Sequence, residues 1–345
     1  MTSWHKRVMT KRVITSIDVA RLAGVSQSAV SRAFSTTASI SPATREKVFK
    51  AAEALNYKPN RIPSIMLTGR SGMIGIIVGG LRNPLYGSAL EQLSAGIREA
   101  GFQVLLVQVM DTVTLEMALD TLAGYRVDAL ITALAIGSED TAAALSALNI
   151  PVICFNSALI GPGISSVRSN NFDSGRRVAA LMQEWGVERP YWLAGPVVNA
   201  ASRARRAGFL EGWGAKKLSV TELQGDDHYD SAFSAVSEAL RAGHRPDGLF
   251  CSNDLMGCGA LDALKDTGGM SCPEDVVVVG YDNIPQAAWH SYQLSSFDQR
   301  PDALVAASLD ILARSLSAPD ERLSETHVIE ADLVLRRSTS RTLAP

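Results

Sequence analysis

The sequence predicts a small all-α head followed by a larger α/β body. Near the start of the chain, two short helical patterns are joined by a glycine-containing turn, which is typical of a helix-turn-helix. From about residue 72 onward, apolar strand patterns alternate with helical patterns, which predicts parallel sheets with helices on both faces. The chain has 345 residues, too many for one ordinary core, so two or three domains are expected.

Thr15 is the predicted N-cap of the first helix of the head, and Gly24 ends this helix because glycine accepts a positive φ. Ser26 then caps a second helix over residues 27–34. A third helix is predicted to begin after Ser41, with a proline at its first position. These signals predict an ordered head, in contrast to the basic extension over residues 1–14.

Charge is distributed unevenly along the chain, although the net charge is only −2. Residues 1–70 hold 12 Lys or Arg and 3 Asp or Glu, a net charge of +9, whereas the remaining 275 residues hold 21 basic and 32 acidic side chains, a net charge of −11. A cationic head on an anionic body suggests that the head meets a polyanion. A helical hairpin can also be a protein-binding module, but with this charge distribution double-stranded DNA is the preferred partner.

The second helix of a helix-turn-helix enters the major groove with its N-terminal residues foremost. Gln27 and Ser28 are therefore predicted at base edges, where Gln pairs with adenine in bidentate fashion and Ser bonds less selectively. Arg32 either reads guanine or holds phosphate. The predicted contacts that position the protein without specifying sequence are Ser26, Ser31, Arg45 and Lys50, and Thr15 is a further predicted DNA contact.

The head resembles the DNA-binding headpiece of the lac repressor family. The resemblance rests on residues 15–32 (TSIDVARLAGVSQSAVSR), 41–48 (SPATREKV) and 55–60 (LNYKPN), which match in order and spacing. It continues over roughly residues 13–338. It implies a homodimer, or a tetramer built as a dimer of dimers, on a pseudo-palindromic operator.

The resemblance also implies a hinge over residues 60–71, between a helix-turn-helix domain at 15–59 and a body at 72–338. In relatives the hinge helix folds on DNA and inserts a leucine into the minor groove. Met66 stands at that position here, and methionine is also a wedge residue. Asn60 is a further predicted DNA contact. Pro63 replaces the usual alanine, so the hinge helix either begins there or is shortened, and a plain linker is the alternative.

For the body, the resemblance implies two lobes of the periplasmic-binding-protein-like type (type I), with a ligand in the cleft between them. Ligands of such folds lie beyond the carboxyl ends of the strands. In relatives an aromatic residue at Tyr86 stacks on the ligand, and an arginine at Arg205 anchors an oxygen-rich effector. The predicted effector-binding set is Tyr86, Asn156, Ser157, Asn170, Arg205, Asp227, Asn253, Asp254 and Asp282, with His228 weighed beside it.

Asn, Asp and Arg side chains suit vicinal hydroxyl groups, and an aromatic ring covers the apolar face of a sugar. A sugar or sugar derivative is therefore the first expectation for the effector, with a purine or another small polar molecule as the alternative. Each residue also has a structural interpretation: Asn253 and Asp254 could cap a helix, and Asn156 and Asp282 could hold turns.

Enzymatic function is not expected, because the GxSxG, HExxH and GxxxxGK[ST] motifs are absent and the five histidines lack metal-ligand spacing. No cofactor or metal is predicted. The four cysteines form no CxxC pair and are expected to be reduced thiols of a cytoplasmic protein. No membrane partner is expected, since no apolar run reaches 18 residues. A transport-linked solute-binding protein is a rival, but it would need an export signal and would lack residues 15–60.

Overall fold

The computed structural model describes residues 14–34, 38–58, 70–109, 114–134, 139–214, 218–319 and 321–340. The chain divides between residues 69 and 70 into two compact units, here called the head and the body. Residues 1–13 of the basic extension and the predicted hinge residues Asn60, Pro63 and Met66 lie outside the described residues, so those predictions stay predictions.

The head contains three helices, α1 Ser16–Ala23, α2 Gln27–Phe34 and α3 Pro42–Ala54. Thr15 forms the predicted cap of α1, where its backbone N–H donates to Asp18 Oδ2 at 2.9 Å. Gly24 has a φ of +65°, which allows the sharp turn into α2. Ser26 Oγ accepts a hydrogen bond from the Ala29 N–H at 3.2 Å. The sequence signals for these helix ends are confirmed.

A small apolar core holds the three helices together. Val19, Val30 and Val48, one from each helix, are at most 1 % exposed and pack with the alanines beside them. Because Ala29, Val30 and Ala33 occupy the inner face of α2, its polar residues are directed to solvent.

The first lobe of the body has a six-stranded parallel sheet in the order β11-β5-β4-β3-β1-β2. Its strands are β1 Met73–Val78, β2 Gln103–Gln108, β3 Ala129–Ala133, β4 Val152–Phe155, β5 Ile164–Ser169 and β11 Thr326–Ile329. The helices that accompany them are α4 Pro84–Glu99, α5 Leu115–Tyr125, α6 Glu139–Ser146 and α11 Pro301–Ser317. Apolar clusters cover both faces of this sheet.

The second lobe repeats this arrangement with the order β12-β10-β9-β8-β6-β7, in which only β12 is antiparallel to its neighbour. Its strands are β6 Pro190–Ala194, β7 Thr221–Gln224, β8 Gly248–Cys251, β9 Val277–Tyr281, β10 Ser295–Asp298 and β12 Asp332–Val334. Its helices are α7 Asn171–Glu184, α8 Ala200–Gly214, α9 Tyr229–Arg241 and α10 Asp254–Asp266. The two-lobed α/β body predicted from the sequence is confirmed.

The chain crosses between the lobes three times: after β5, after β10 and after β11. The first crossing enters α7, which lies so close to α8 that backbone meets backbone. A Cβ added to Gly208 would lie 1.9 Å from the Phe172 carbonyl oxygen, and one added to Gly175 would lie 2.1 Å from the Arg205 carbonyl oxygen. Glycine is required at both places, and this contact fixes the backbone that carries Arg205.

All four cysteines lie in the described part of the chain, and none forms a disulfide. Burial raises the pKa of the Cys154 and Cys258 thiols to about 12, and the pKa of Cys251 rises for the same reason. These three thiols are therefore protonated at neutral pH. Within the described ranges, the helices are too short or too polar to span a membrane.

Candidate functional site

The exposed face of α2 is the candidate DNA-contact surface. Gln27, Ser28, Ser31 and Arg32 are exposed and line a shallow depression. Four groups that can donate hydrogen bonds to base edges or phosphates thus lie side by side on a helix whose other face is buried.

Gln27 is held by a residue that the sequence analysis did not single out. Its Nε2 donates a hydrogen bond to Ser16 Oγ at 3.0 Å. One N–H and the Oε1 acceptor of the amide remain for another partner, and this donor–acceptor pair matches the major-groove edge of adenine. Ser16 has no local signal for this role, because 11 residues separate it from Gln27 and only the turn at Gly24 brings them together.

The remaining predicted DNA contacts have other partners in the head. The Thr15 hydroxyl donates to Asp18, and Ser26 Oγ both caps α2 and lies 2.9 Å from Ser28 Oγ. Lys50 forms an ion pair with Glu46 at 2.8 Å on the surface of α3. Arg45 is half-buried on the same helix. A phosphate contact by Lys50 would therefore compete with an existing pair.

The body holds a cavity of about 260 Å3 between its two lobes. The structure brings six predicted residues to it: Tyr86, Asn156, Arg205, Asp227, Asn253 and Asp282. His228, weighed beside them, also lines it. Asn156, Asp227 and Asp282 have positive φ angles of 53°, 58° and 114°. Such backbone strain in non-glycine residues clusters at ligand sites.

Three predicted residues do not line the cavity, because each is engaged elsewhere. The Ser157 carbonyl accepts a hydrogen bond from Ser166, and the side chain is buried. Asn170 Oδ1 accepts from the Ala331 N–H at 2.9 Å, which ties the first crossing to the third. Asp254 is fully buried, where its carboxylate accepts from Ser296 Oγ and the Ile284 N–H. Their effector-binding role stays a prediction, and the structure gives each of them a structural role away from the cavity lining.

Arg205 places a cation in the cavity wall and is only 4 % exposed. Its guanidinium carbon lies 4.1 Å from the centroid of the Tyr281 ring, and its Nη1 lies 4.0 Å from Asp282 Oδ1. Among the described residues, neither Nε nor Nη1 finds a hydrogen-bond acceptor. Since buried donors are nearly always paired, two unpaired donors mark this side chain as a candidate partner for a ligand oxygen.

Asp282 joins the two lobes across the cavity. Its Oδ2 accepts a hydrogen bond from Asn83 Nδ2 of the first lobe at 2.5 Å, and its Oδ1 accepts from Gln299 Nε2 at 2.5 Å. Burial raises the pKa of this carboxyl to about 6, and the nearby Arg205 limits the rise. Asp282 is therefore predominantly ionised at neutral pH and can accept from a ligand hydroxyl.

A second polar cluster of the second lobe also lines the cavity. Asn199 Nδ2 donates to Asp227 Oδ2 at 2.9 Å, and Asn253 Nδ2 donates to the Asp227 carbonyl at 3.1 Å. Asn253 Oδ1 also accepts from the Met256 N–H, so the same residue caps α10 and lines the cavity. Burial raises the pKa of Asp227.

Two buried acceptors complete the site. Asn156 Oδ1 and Gln299 Oε1 have no hydrogen-bond donor among the described residues. Asn156 Nδ2 donates weakly to the Tyr86 hydroxyl at 3.5 Å, and burial raises the pKa of Tyr86 to about 12, so this phenol is neutral. The residues that line the cavity therefore carry both unpaired donors and unpaired acceptors.

Sequence reasoning missed Arg82, Asn83, Asn199 and Gln299, which also line the cavity. Three of them could have been predicted from the signal that the sequence analysis used for the other cavity residues, a position beyond the carboxyl end of a strand. Asn83, Asn199 and Gln299 follow the carboxyl ends of β1, β6 and β10, where ligands of open α/β sheets bind.

Two protein-family profiles match the chain. The family described as bacterial regulatory proteins, lacI family, matches residues 16–60. The family described as periplasmic binding proteins and sugar binding domain of LacI family matches residues 71–319. The matched segments correspond to the helix-turn-helix and to the two-lobed body.

Full-length relatives show the same arrangement. The chain is 27% identical over 327 residues to the HTH-type transcriptional repressor PurR of Actinobacillus pleuropneumoniae serotype 3 (strain JL03), covering 93% of this chain and 97% of that one. It is similar to the lac repressor dimer bound to operator and the anti-inducer ONPF, with a TM-score of 0.85, 26% identity and coverage of 95% and 99%. It also resembles a complex of the regulator CelR with cellobiose, with a TM-score of 0.69, 28% identity and coverage of 94% and 99%.

Proposed function

The chain belongs to the lac repressor (LacI) family of DNA-binding transcription regulators, and we propose that it is a repressor whose effector is a neutral, hydroxyl-rich sugar. Its partners are operator DNA, a small-molecule effector and a second copy of the chain. The sugar would bind in the cavity between the lobes, and the regulator would act in the cytoplasm, where its DNA target is.

The observation that carries this proposal is the mixture of unsatisfied groups in the cavity wall. Arg205 has two buried donors without an acceptor, whereas Asn156 Oδ1 and Gln299 Oε1 are two buried acceptors without a donor, and all three residues line the cavity. A sugar hydroxyl both donates and accepts, so neighbouring hydroxyls can satisfy both kinds of group at once. A site with buried polar groups rejects ligands that leave those groups unpaired.

The charges of the cavity favour a neutral ligand over an anionic one. The lining contains three carboxyl groups, on Asp226, Asp227 and Asp282, and two guanidinium groups, on Arg82 and Arg205. Asp282 already lies beside Arg205, which leaves less positive potential for a phosphate or carboxylate.

Size and apolar lining also suit a monosaccharide. The volume of about 260 Å3 lies just below the roughly 300–1,000 Å3 found for the pockets of drug-sized ligands, which suits a smaller molecule. Tyr86 supplies an aromatic ring, and Ala133, Pro196 and Ala201 supply small apolar surfaces. The similar CelR structure contains cellobiose, which supports a carbohydrate as the class of ligand.

The proposed mechanism is a shift between two states of the body. A sugar that binds one relative position of the lobes better than another moves the population toward that position. The affinity of the dimer for its operator then changes with the lobe position.

Calorimetry and thermal shift with the full chain test the effector proposal. The ligands are D-glucose, D-galactose and D-ribose, the corresponding sugar phosphates, and hypoxanthine and guanine. We expect a neutral sugar to bind and to raise the melting temperature, and Arg205→Ala to abolish both effects. Arg206→Ala is the matched control, because the neighbouring Arg206 is paired with Glu222 on the surface. Binding of only a phosphate or a purine would overturn the proposal.

The operator is tested by selection from randomised duplexes. We expect a pseudo-palindromic consensus and a steep loss of affinity with salt, on the order of a thousandfold between 50 and 200 mM if six or more phosphates are contacted. Gln27→Ala or Arg32→Ala should reduce binding to the selected duplex more than binding to random DNA. Equal losses on both duplexes would remove these residues from sequence recognition.

A further inference from the structure

We propose that Tyr281 is the positioning residue of the effector cavity: its ring supports the Arg205 guanidinium, and its hydroxyl fixes that ring to the first crossing between the lobes. This inference rests on the proposed function in that it assigns Arg205 to the effector. Tyr281 itself does not line the cavity.

The ring of Tyr281 provides the surface on which Arg205 rests. Tyr281 is the last residue of β9 and is fully buried. The Arg205 guanidinium carbon lies 4.1 Å from its ring centroid, which is cation–π distance. The Phe297 ring is stacked with the Tyr281 ring at 5.6 Å and 14°, so the Tyr281 ring cannot tilt freely.

The hydroxyl of Tyr281 reaches both sides of the first crossing. It lies 2.8 Å from Ser169 Oγ, at the end of β5 in the first lobe, and donates to Ser174 Oγ at 3.2 Å, on α7 of the second lobe. Ser174 Oγ in turn donates to the Asn170 carbonyl, and Asn170 Oδ1 accepts from Ala331. The hydroxyl is thus tied to the first crossing directly and to the third through Asn170.

Little else determines where the guanidinium points. The Arg205 backbone is fixed by the glycine contact between α7 and α8, but its head group has only Asp282 at 4.0 Å and two unpaired donors. A buried cation with so few partners is costly unless an aromatic face or a ligand compensates it. The Tyr281 ring gives that compensation before the ligand arrives, and it thereby fixes the orientation of the guanidinium at the cavity wall.

The test is calorimetry of the full chain with D-glucose, D-galactose and D-ribose. We expect Tyr281→Leu to weaken sugar binding about tenfold, because it removes a desolvated cation–π contact. Tyr281→Phe keeps the ring and should weaken binding about threefold, whereas Ser169→Ala, which leaves the bond to Ser174, should weaken it no more than that. The double variant should bind no more weakly than Tyr281→Phe alone, since that substitution already removes the hydrogen bond to Ser169.

Tyr191→Phe is the matched control. Tyr191 is also buried in the second lobe, and its hydroxyl lies 2.8 Å from His244 Nδ1, but it does not line the cavity. Three results would each overturn the positioning role. They are wild-type affinity in Tyr281→Leu, additive losses of affinity in the Tyr281→Phe/Ser169→Ala pair, and a loss in Tyr191→Phe equal to that in Tyr281→Phe.

A second measurement needs no ligand and separates this inference from the choice of a sugar. In urea unfolding, the Tyr281→Leu substitution should lower the unfolding free energy more in the wild-type background than in the Arg205→Met background. The reason is that the methionine variant has no cation for the ring to support. If no sugar binds the wild type but this coupling is present, the proposed effector is wrong and the positioning role stands. If the two losses are equal, the positioning role is wrong.

Discussion

Asn83 of the first lobe donates a hydrogen bond from Nδ2 to Oδ2 of Asp282 in the second lobe, at 2.5 Å. The same Asn83 caps α4 through its Oδ1, which accepts from the Leu85 N–H at 3.0 Å. One amide therefore fixes the start of a helix and closes the cavity. A ligand that approaches Asp282 must share or replace this bond, so lobe position and ligand binding are coupled at this carboxylate.

Asn83→Asp should weaken the tie between the lobes in a pH-dependent way. Aspartate still caps α4, but its carboxylate would face Asp282, and two adjacent carboxylates do not both ionise readily. We expect a loss of roughly 2 kcal/mol in unfolding free energy at pH 8, within the range for an uncompensated buried polar contact, and recovery near pH 5 when the pair shares a proton. Asn83→Ser keeps a cap without the second charge and is the control. Equal stability of both variants at the two pH values would contradict this expectation.

Sugar affinity should fall as the pH falls below about 6. A hydroxyl that donates to Asp282 favours the ionised carboxylate, whereas burial raises the pKa of Asp282 in the free cavity to about 6. Protons therefore compete with the ligand below that pH, by up to about tenfold per pH unit. Arg205, Asp227 and Asp254 act on the same carboxyl and change the midpoint. Calorimetry from pH 5 to 8 measures the effect, and in Asp282→Asn the dependence should disappear together with most of the affinity.

Asp254→Asn should stabilise the body at neutral pH. Burial, followed by repulsion from Asp282, raises the pKa of Asp254 from 3.8 to about 7. The folded state therefore binds the proton more tightly than the unfolded state, and the stability that this proton contributes is lost as pH rises from about 4 to 7. Over that interval the unfolding free energy falls by at most roughly 4 kcal/mol on this account.

Across this pH range the unfolding free energy of Asp254→Asn should rise relative to that of the wild type. Asparagine stays neutral, and its side chain can still form hydrogen bonds with Ser296 and Ile284. Urea unfolding at pH 4, 5.5 and 7 measures the difference. Asp266→Asn, an exposed position on the same helix, should show no comparable gain. A constant difference between Asp254→Asn and wild type at all three pH values would refute the buried-charge explanation.

Gly208→Ala should destabilise the second lobe by about 2 kcal/mol or more. The added methyl group would meet the Phe172 carbonyl oxygen at 1.9 Å, so α7 and α8 must move apart. Gly124→Ala is the matched control, because Gly124 is an exposed helical glycine with no atom within 4 Å of the added methyl group. We expect Gly124→Ala to stabilise by up to about 1 kcal/mol through helix propensity alone. Thermal unfolding compares the two variants. A higher melting temperature in both would show that α7 and α8 tolerate separation.

Ser16→Ala should relax operator recognition through Gln27. Without the Ser16 hydroxyl, the Gln27 amide rotates freely and loses order on binding, so we expect a drop of about threefold in affinity for the selected duplex. Gln27→Ala should cost tenfold to about a hundredfold, the range for a bidentate base contact. Ser16→Ala should add nothing in the Gln27→Ala background, as measured by fluorescence anisotropy. Additive losses would mean that Ser16 contacts DNA independently.

Local signals explain what the sequence could predict of the fold. Caps such as Thr15 and Ser26 depend on residues three positions away, and β1 or β9 are continuous apolar runs. By contrast, β10 is SSFD, a polar sequence that is buried because distant groups satisfy it. The Ser295 N–H donates to Ser338 Oγ, and Ser296 Oγ donates to Asp254. No window of the sequence contains those partners.

The same reasoning separates the predicted residues that line the cavity from those that do not. Asn253 and Asp254 are adjacent at the end of β8, yet only Asn253 lines the cavity, since Asp254 is directed inward to Ser296 and Ile284. Gln299 was missed because the strand before it has no apolar pattern. Side-chain direction at a strand end depends on packing between elements distant in sequence, which one sequence does not reveal.

The three crossings between the lobes have a consequence for how the protein is made. Each sheet ends in a strand from the last part of the described chain, β11 in one lobe and β12 in the other. During vectorial synthesis, neither lobe can complete its hydrogen-bonded edge until residues 326–334 have left the ribosome. The head, whose core is complete by residue 57, can fold long before that. Nascent chains would thus carry a finished DNA-contact surface before they carry a finished sensor.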